Sequence, residues 1–166
     1  MYSLTIYSTI YLNSRVFYKN WLLNNKRHRV KGPAEEHSNG DRMWFLKGSL
    51  HRDNNLPAVE LSNGDKKYWL NGDQYLIHED GTKEFVDWLN RTHRNKDLPA
   101  IEYPNGDKEW WVNGKLHREK SPAVKYSNGD EEWWRYGRRH RLDGPAVTIE
   151  NKQFWFDNGI FIECLH

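Results

Sequence analysis

The sequence predicts an all-β protein of tandem antiparallel β-hairpin repeats of about 23 residues, forming an elongated, single-domain meander or solenoid with one short helical insertion. Three features support this fold class. A set of short motifs recurs in one fixed order, apolar and polar residues alternate between the motifs, and aromatic residues reach 14% with nine tryptophans. A lone two-stranded hairpin is marginal in water, so we expect neighbouring hairpins to stack and bury their rings.

The repeat consists of a His-Arg pair, a Pro-Ala dipeptide, an Asn-Gly-Asp tripeptide and an aromatic pair, in that order. The His-Arg pairs begin at His28, His51, His93, His117 and His140, so one step of 42 residues interrupts steps of 23 or 24. The prolines are Pro33, Pro57, Pro99, Pro122 and Pro145, and the Asn-Gly-Asp glycines are Gly40, Gly64, Gly106 and Gly129. The aromatic pairs are Trp44-Phe45, Tyr68-Trp69, Trp110-Trp111, Trp133-Trp134 and the degenerate Trp155-Phe156.

Each repeat predicts two strands and two turns. Proline opens the first strand, where a missing N–H costs least, and Ala58 to Leu61 alternates as a half-buried strand does. Asn-Gly favours a type I′ turn, in which both central residues take positive φ. A second glycine, such as Gly72 or Gly114, follows the aromatic pair and closes the repeat with another turn.

These boundaries predict one repeat domain over 1–166. Residues 1–27 form an N-terminal cap and half repeat, the repeats span 28–50, 51–75, 93–116, 117–139 and 140–160, and 161–166 form a C-terminal cap. The long step places an insertion at 76–92. Thr82 is suited to cap a short helix there, with Phe85, Trp88 and Leu89 on one face.

The order of these motifs resembles the MORN repeat, in a variant with His-Arg, Gly-Pro-Ala and Asn-Gly-Asp. Gly144-Pro145-Ala146-Val147 and Asn128-Gly129-Asp130 match its pattern well, whereas Asn54-Asn55-Leu56 and Lys120-Ser121 depart from it. Proteins with such repeats include membrane-linked scaffolds, putative antitoxins, and phage and large-virus proteins. The resemblance therefore implies interaction and not a reaction.

Composition limits the function classes. The net charge is +2 with both signs interspersed, so the strong basic excess of most phosphate-tracking surfaces is absent, although nucleic acid stays possible. Cys164 is the only cysteine, which excludes an internal disulfide framework and favours a reducing compartment. The sequence carries no membrane-span-length apolar run and no signal-peptide pattern. We expect a cytoplasmic protein, in the host cytoplasm if viral.

The His-Arg pairs form the first candidate site, because stacked repeats would align them as a ladder. Guanidinium and imidazole groups on one edge suit a phosphate or a carboxylate. The candidate anion-binding residues are Arg29, Arg52, Arg94, Arg118, Arg141, His51, His93 and His117. The favoured alternative is structural: the histidine packs beneath the second turn, and the arginine pairs with a nearby acid, as Arg52 with Asp53 or Arg141 with Asp143.

Aromatic columns and the insertion form the second candidate. Adjacent strand residues point to opposite faces, so one ring of each pair is exposed unless the sheet curls over both. The candidate partner-binding residues are Trp69, Trp111, Trp134, Phe85, Trp88 and Arg91. In the structural alternative, the insertion is a lid that covers a weakly packed stretch of the stacked hairpins.

Neither a catalytic motif nor close metal-ligand spacing emerges, so we expect no enzyme activity, no cofactor and no metal site. The sequence favours a non-enzymatic protein that binds a protein partner. Its Asn, Lys, Ile and Tyr content suggests an AT-rich genome, and hence a phage or viral inhibitor of a host protein, or an antitoxin-like protein. The alternative is sequestration of an anionic ligand, a nucleotide or nucleic acid, by the His-Arg ladder and aromatic columns.

Overall fold

The structure, a computed structural model, describes residues 1–11 and 14–165, with side chains for 1–9 and 16–165. Over these residues the fold is all-β and the strands pair antiparallel in meander order, so the predicted fold class is confirmed. Leu12, placed in the N-terminal cap, and His166, placed in the C-terminal cap, lie outside the described residues. The described residues contain no helix of the length and apolarity that crossing a membrane requires.

The chain divides into two compact units, Met1–Tyr75 and Leu76–His166. The prediction of one repeat domain over the whole chain stays a prediction.

In the first unit, seven strands follow one another in the order β1-β2-β4-β5-β8-β9-β10, β3 pairs with β2, and β6 and β7 form a separate hairpin. The strands are β1 (Tyr2–Tyr11), β2 (Ser14–Leu23), β3 (Lys26–Arg27), β4 (Glu35–His37), β5 (Arg42–Met43), β6 (Phe45–Leu46), β7 (Ser49–Leu50), β8 (Val59–Glu60), β9 (Lys66–Leu70) and β10 (Asp73–Ile77), whose last two residues belong to the second unit.

In the second unit the order is β11-β12-β13-β16-β17-β20-β21-β22, with β14-β15 and β18-β19 as separate hairpins. The strands are β11 (Lys83–Val86), β12 (Ile101–Glu102), β13 (Lys108–Glu109), β14 (Trp111–Val112), β15 (Lys115–Leu116), β16 (Val124–Lys125), β17 (Glu131–Glu132), β18 (Trp134–Arg135), β19 (Arg138–Arg139), β20 (Val147–Ile149), β21 (Lys152–Asp157) and β22 (Ile160–Leu165).

The Asn-Gly-Asp turns differ from the predicted type. In the first of them only Gly40 has positive φ, at 98°, and its N–H donates to the His37 carbonyl at 3.0 Å. The Asn39 Oδ1 accepts from the Asp41 N–H at 3.1 Å, and this side-chain bond keeps the asparagine in the ordinary φ region. The turn is therefore a three-residue loop with a glycine in the bulge, and the type I′ prediction is wrong here.

Closing turns do take the type I′ form. Asn113 and Gly114 both have positive φ, at 52° and 75°, and they join Val112 directly to Lys115. The same pair of positive angles occurs at Lys47-Gly48, Asn71-Gly72, Tyr136-Gly137 and Asn158-Gly159. The glycine after each aromatic pair, preceded by asparagine in three of the five turns, thus specifies a tight hairpin.

The core is a thin layer built on one small residue per repeat. The alanines of the Pro-Ala dipeptides are fully buried: Ala34, Ala58, Ala100, Ala123 and Ala146. Their carbonyls accept the N–H of the neighbouring ring-bearing strand, as Ala58 does from Trp44 at 2.8 Å. Buried valines flank them, including Val59, Val124 and Val147. The core is as shallow as the low aliphatic content predicts.

The predicted helix in 76–92 is wrong. Residues Lys83–Val86 form strand β11, which pairs with β12. Asp80 accepts both the N–H and the hydroxyl hydrogen of Thr82, at 2.8 and 2.9 Å, so Thr82 ends a hairpin turn and does not cap a helix. Strand pairing outweighs the helical spacing of Phe85, Trp88 and Leu89.

The supposed insertion is a shortened hairpin unit. The His78 N–H donates to the Thr82 carbonyl at 2.9 Å, as the Leu61 N–H donates to the Asp65 carbonyl at 2.9 Å. By this correspondence Tyr75, which is buried, stands where other repeats have the core alanine. Between Gly72 and Tyr75 the chain lacks the segment that carries the His-Arg pair elsewhere.

Candidate functional site

Each of the five ladder arginines places its guanidinium group over an aromatic ring. The distance from each guanidinium carbon to the ring centroid is 3.9 Å for Arg29 over Trp21, 3.7 Å for Arg52 over Trp44, 3.5 Å for Arg94 over Phe85, 3.9 Å for Arg118 over Trp110 and 4.0 Å for Arg141 over Trp133. One nitrogen of each also donates to the carbonyl of the following proline, as Arg52 does to Pro57 at 2.9 Å. The arginine thus fastens its own loop to the ring.

Acidic side chains complete this arrangement. Arg52 pairs with Glu60 at 2.8 Å, and Asp53, its predicted partner, instead contacts His51 at 3.1 Å. The predicted pairing of Arg141 with Asp143 is confirmed at 3.0 Å. Arg94 pairs with Glu102 at 2.8 Å.

Arg118 makes the tightest of these pairs, with two bonds of 2.7 Å to the two carboxylate oxygens of Asp97. These bonds lower the pKa of Asp97. The ladder carries acids beside its arginines, so its charge is largely balanced.

The ladder histidines hold the closing turns. In each, Nδ1 accepts a backbone N–H about one repeat further along the chain: Lys47 to His28, Asn71 to His51, Asn113 to His93, Tyr136 to His117 and Asn158 to His140, at 3.1 to 3.4 Å. Burial lowers the pKa of His117, which favours the neutral form there. The histidine therefore packs beneath the second turn, as the structural alternative predicts.

Both aromatic columns are partly covered. Trp69, Trp111 and Trp134 are half-buried, and in the other column Trp110 is buried. Trp111 and Trp134 donate their indole N–H to the glutamate two residues before them, at 2.6 and 2.9 Å. The buried Trp69 indole N–H has no such acceptor.

A groove of about 470 Å³ lies beside this column in the second unit. Its lining includes Trp111, Leu98, Arg118 and the lysines Lys96 and Lys120. It lies between two successive His-Arg segments, because the segment of Arg94 lines its other side. The groove combines an aromatic wall with four cationic side chains, Arg94, Arg118, Lys96 and Lys120, and with two carboxylates, Asp97 and Glu119.

The most exposed aromatic side chain of the shortened unit is Trp88, which is 85% exposed. It belongs to the three-residue loop Trp88-Leu89-Asn90, which we call the Trp88 turn. Asp87 accepts the backbone N–H groups of Leu89 and Arg91 at 2.8 and 3.0 Å and the Arg91 Nε at 2.8 Å. These bonds lower the pKa of Asp87 despite the opposing effect of desolvation. The turn is thus fixed by its own side chains.

Phe85 and Arg91 belong to the support of this turn. Phe85 is fully buried beneath Arg94, so the structure places its ring in the core and not on the surface. Arg91 is exposed and bridges Asp87 to the Asn113 side chain at 3.2 Å.

Sequence reasoning missed two members of the arginine-stacked column, Trp21 and Phe85. A usable signal exists: the stacked ring precedes the histidine by seven residues at Trp21, Trp44, Trp110 and Trp133, and by eight at Phe85. The extra residue in that interval converts a two-residue closing turn into the three-residue Trp88 turn.

Among the residues whose side chains are described, no group of three or more His, Cys, Asp or Glu side chains is arranged to hold a metal ion. Comparison of the chain with protein-family models and with curated proteins finds no match, so the resemblance to the MORN repeat stays a prediction.

Proposed function

We propose that this chain is a non-enzymatic binding protein that acts through protein–protein interaction, with the Trp88 turn as its anchor. The observation that carries the proposal is a tryptophan 85% exposed on a turn whose backbone is already held by Asp87. Tryptophan is enriched at the energetic centres of protein interfaces. A fixed turn also loses little conformational entropy on binding.

Neighbouring side chains suit the same role. Leu89 is 50% exposed and follows Trp88 in the turn, and Arg91, which comes directly after the turn, has its charge partly balanced by Asp87. An apolar pair with an adjacent arginine matches the composition of interface centres. An inhibitor or antitoxin-like protein needs only such a surface, since covering a partner's site requires no chemistry.

The test is affinity capture from a lysate of the encoding organism, followed by a binding titration with the captured protein. Replacing Trp88 by serine is expected to weaken that complex at least about 30-fold, the loss typical of a central interface tryptophan. The matched control is Leu142→Ser, because Leu142 is also 85% exposed but lies in another loop. A partner that binds the Trp88→Ser variant as tightly as the control variant would refute the proposal.

The second candidate is an anionic ligand, a nucleotide or nucleic acid, and the groove lined by Trp111, Lys96 and Lys120 favours it. Stacking on the ring and charge from the lysines are the interactions that single-stranded nucleic acid uses. Binding of this kind weakens steeply with salt, whereas an aromatic protein interface changes little.

Mass spectrometry of copurified nucleotides and a salt titration of oligonucleotide binding separate the two candidates. The informative variant is Lys96→Gln with Lys120→Gln, because the ladder arginines also hold the fold. Salt-independent binding, or binding that the double variant leaves unchanged, would argue against the anionic ligand.

A further inference from the structure

Among the residues that the structure describes, no strand pairs with the outer edge of β1, the first strand of the first unit. β1 pairs with β2 over its full length, from Tyr2 opposite Leu23 to Tyr11 opposite Ser14, and it stands at the end of the strand order. Residues 1–9 are all exposed, and Tyr2, Leu4 and Ile6 are more than half exposed. A long free edge is a template for another strand.

The usual protections of an edge strand are missing from β1. Its ten residues, YSLTIYSTIY, contain no charged side chain, no proline and no glycine. Its register with β2 shows no bulge that would bend the edge away. Natural edge strands normally carry lysine, proline or a bulge, which prevent pairing with a second chain.

Hydrogen bonding fixes which residues offer free backbone groups. The Asn24 N–H donates to the Met1 carbonyl at 3.1 Å, and the Trp21 N–H donates to the Ala34 carbonyl at 2.9 Å on the other side of β2. Bonded and non-bonded pairs alternate in an antiparallel ladder, so odd-numbered residues of β1 turn their N–H and C=O groups toward β2. The even-numbered residues, among them Tyr2, Leu4 and Ile6, direct theirs to the free edge.

The same even-numbered residues carry the larger apolar side chains of one face. Tyr2, Leu4 and Ile6 share it with the smaller Ser8, whereas Ser3, Thr5, Tyr7 and Thr9 lie on the other face. An incoming strand must therefore match two requirements with one register: hydrogen-bonding residues opposite each other, and apolar face continuous with apolar face.

We propose that β1 pairs with β1 of a second copy of this chain, antiparallel about a two-fold axis at Ile6. This register places Ile6 opposite Ile6 and Leu4 opposite Ser8, so even residues meet even residues and both requirements hold. Odd and even residues never mix across the axis. About ten backbone hydrogen bonds form along the nine residues that overlap.

Charge and symmetry favour a second copy over an unrelated strand. The two-fold axis brings Ile6 next to Ile6 of the second copy and sets the other residues of β1 against uncharged partners, so no charge repulsion arises along the edge. The pairing is isologous and covers the β1 edge of both copies at once, so it closes at the dimer.

The test measures molar mass by sedimentation equilibrium over a concentration series of the full chain. The wild-type protein is expected to approach twice the monomer mass. Ile6→Lys places two ammonium groups at the axis and is expected to raise the dimer dissociation constant at least tenfold, because directly opposed like charges are destabilising. The matched control Ile6→Thr keeps a β-branched, uncharged residue and is expected to keep the dimer.

Amide hydrogen exchange tests the register independently of mass. In the dimer the amides of Leu4, Ile6 and Ser8 become protected as concentration rises, while those of Thr5 and Tyr7 are protected at every concentration because they bond to β2. The variant Leu4→Lys combined with Ser8→Glu sets opposite charges against each other only in this register, and it is expected to dimerise.

Any of three results would overturn the proposal. One is a wild-type chain that stays monomeric at its highest soluble concentration. The others are self-association that Ile6→Lys leaves unchanged while the even-numbered amides exchange freely, and protection of these amides in a monomer, since either assigns the edge to another contact. Trp88→Ser is expected to leave the dimer intact, which separates this result from the proposed partner binding.

Discussion

At the scale of single residues, the Trp69 indole N–H is the one buried side-chain polar atom without a hydrogen-bond partner among the residues whose side chains are described. Trp111 and Trp134 each donate to the glutamate two residues before them, Glu109 and Glu132, but the residue in that position before Trp69 is Lys67, which has no acceptor. The backbone context is the same, because Lys67 lies opposite Val59 as Glu132 lies opposite Val124.

Replacing Lys67 by glutamate is therefore expected to stabilise the protein. The new carboxylate accepts the Trp69 indole N–H, and the free energy of unfolding rises by about 1 kcal/mol, the net worth of one such bond. Urea denaturation of the wild type and the variant measures the difference. Lys67→Met is the control, since it removes the lysine without supplying an acceptor. An equal gain from both variants would show that the loss of the lysine charge is the cause.

Residues in the left-handed region give a second prediction. Lys47 occupies the first position of a type I′ turn at φ 51°, where Asn71, Asn113 and Asn158 stand in other turns. Asparagine tolerates this conformation better than other side chains with a Cβ. Lys47→Asn is expected to raise the free energy of unfolding by about 0.5 kcal/mol. Lys47→Ala is expected to give no gain, and a gain from alanine would point to the lysine side chain instead of the turn.

At the scale of elements, the hairpin and its His-Arg segment form one unit of structure. The arginine covers the ring that begins the hairpin, and its NH1 reaches the proline that begins the next strand. Lysine has neither the planar face nor the paired donors for this geometry. The role of the arginine is therefore testable in the absence of any ligand.

Arg52→Lys is expected to lower the free energy of unfolding by about 1 to 2 kcal/mol, through loss of the stack on Trp44 and of the bonds to Pro57 and Glu60. Thermal unfolding without added ligand measures this loss. The control is Arg42→Lys, because Arg42 is exposed and its separation from Glu60 is 3.9 Å. Equal stability of Arg52→Lys and the wild type would contradict this structural role and would leave the ladder arginines as candidates for anion binding.

The elements show what the sequence could predict. Regular spacing and Asn-Gly pairs sufficed for the hairpins, the strand order and the closing turns, since these depend on local backbone preference. The predicted helix in 76–92 is wrong because a periodicity over so few residues does not distinguish a helix from a strand that follows the turn formed by Asp80 and Thr82. The burial of Phe85 also depends on a partner in the next segment, Arg94. The spacing between ring and histidine indicates this contact in the other repeats, but at Phe85 the spacing is eight residues and not seven.

At the scale of the whole molecule, two half-buried tyrosines, Tyr103 and Tyr126, make the free energy of unfolding depend on pH in the alkaline range. Burial and hydrogen bonds to Glu109 and Glu132 raise the pKa of Tyr103 and Tyr126 to about 12 each, from an ordinary 10.0. The folded chain thus retains two protons that the unfolded chain releases at lower pH. Their contribution to stability is complete below pH 10.0 and is lost as pH rises toward about 12.

The free energy of unfolding is expected to fall across this interval, and denaturant titrations at a series of pH values measure it. In the double variant Tyr103→Phe with Tyr126→Phe the fall is expected to be shallower, since neither ring ionises. The double variant is also less stable at neutral pH, because it lacks two hydrogen bonds. A slope equal to that of the wild type would assign the alkaline dependence to other groups.

The shortened hairpin between Gly72 and Thr92 has a consequence for how such chains diverge. Its strands keep their place in the strand order although the His-Arg segment is absent. The bulky Tyr75 takes the position that a small alanine has in the other repeats. A repeat can therefore lose its His-Arg segment and keep its strands. Homologues are expected to gain or lose whole His-Arg segments while the inward-facing positions keep their spacing. The number of glycine turns will therefore indicate relatedness better than the number of His-Arg segments.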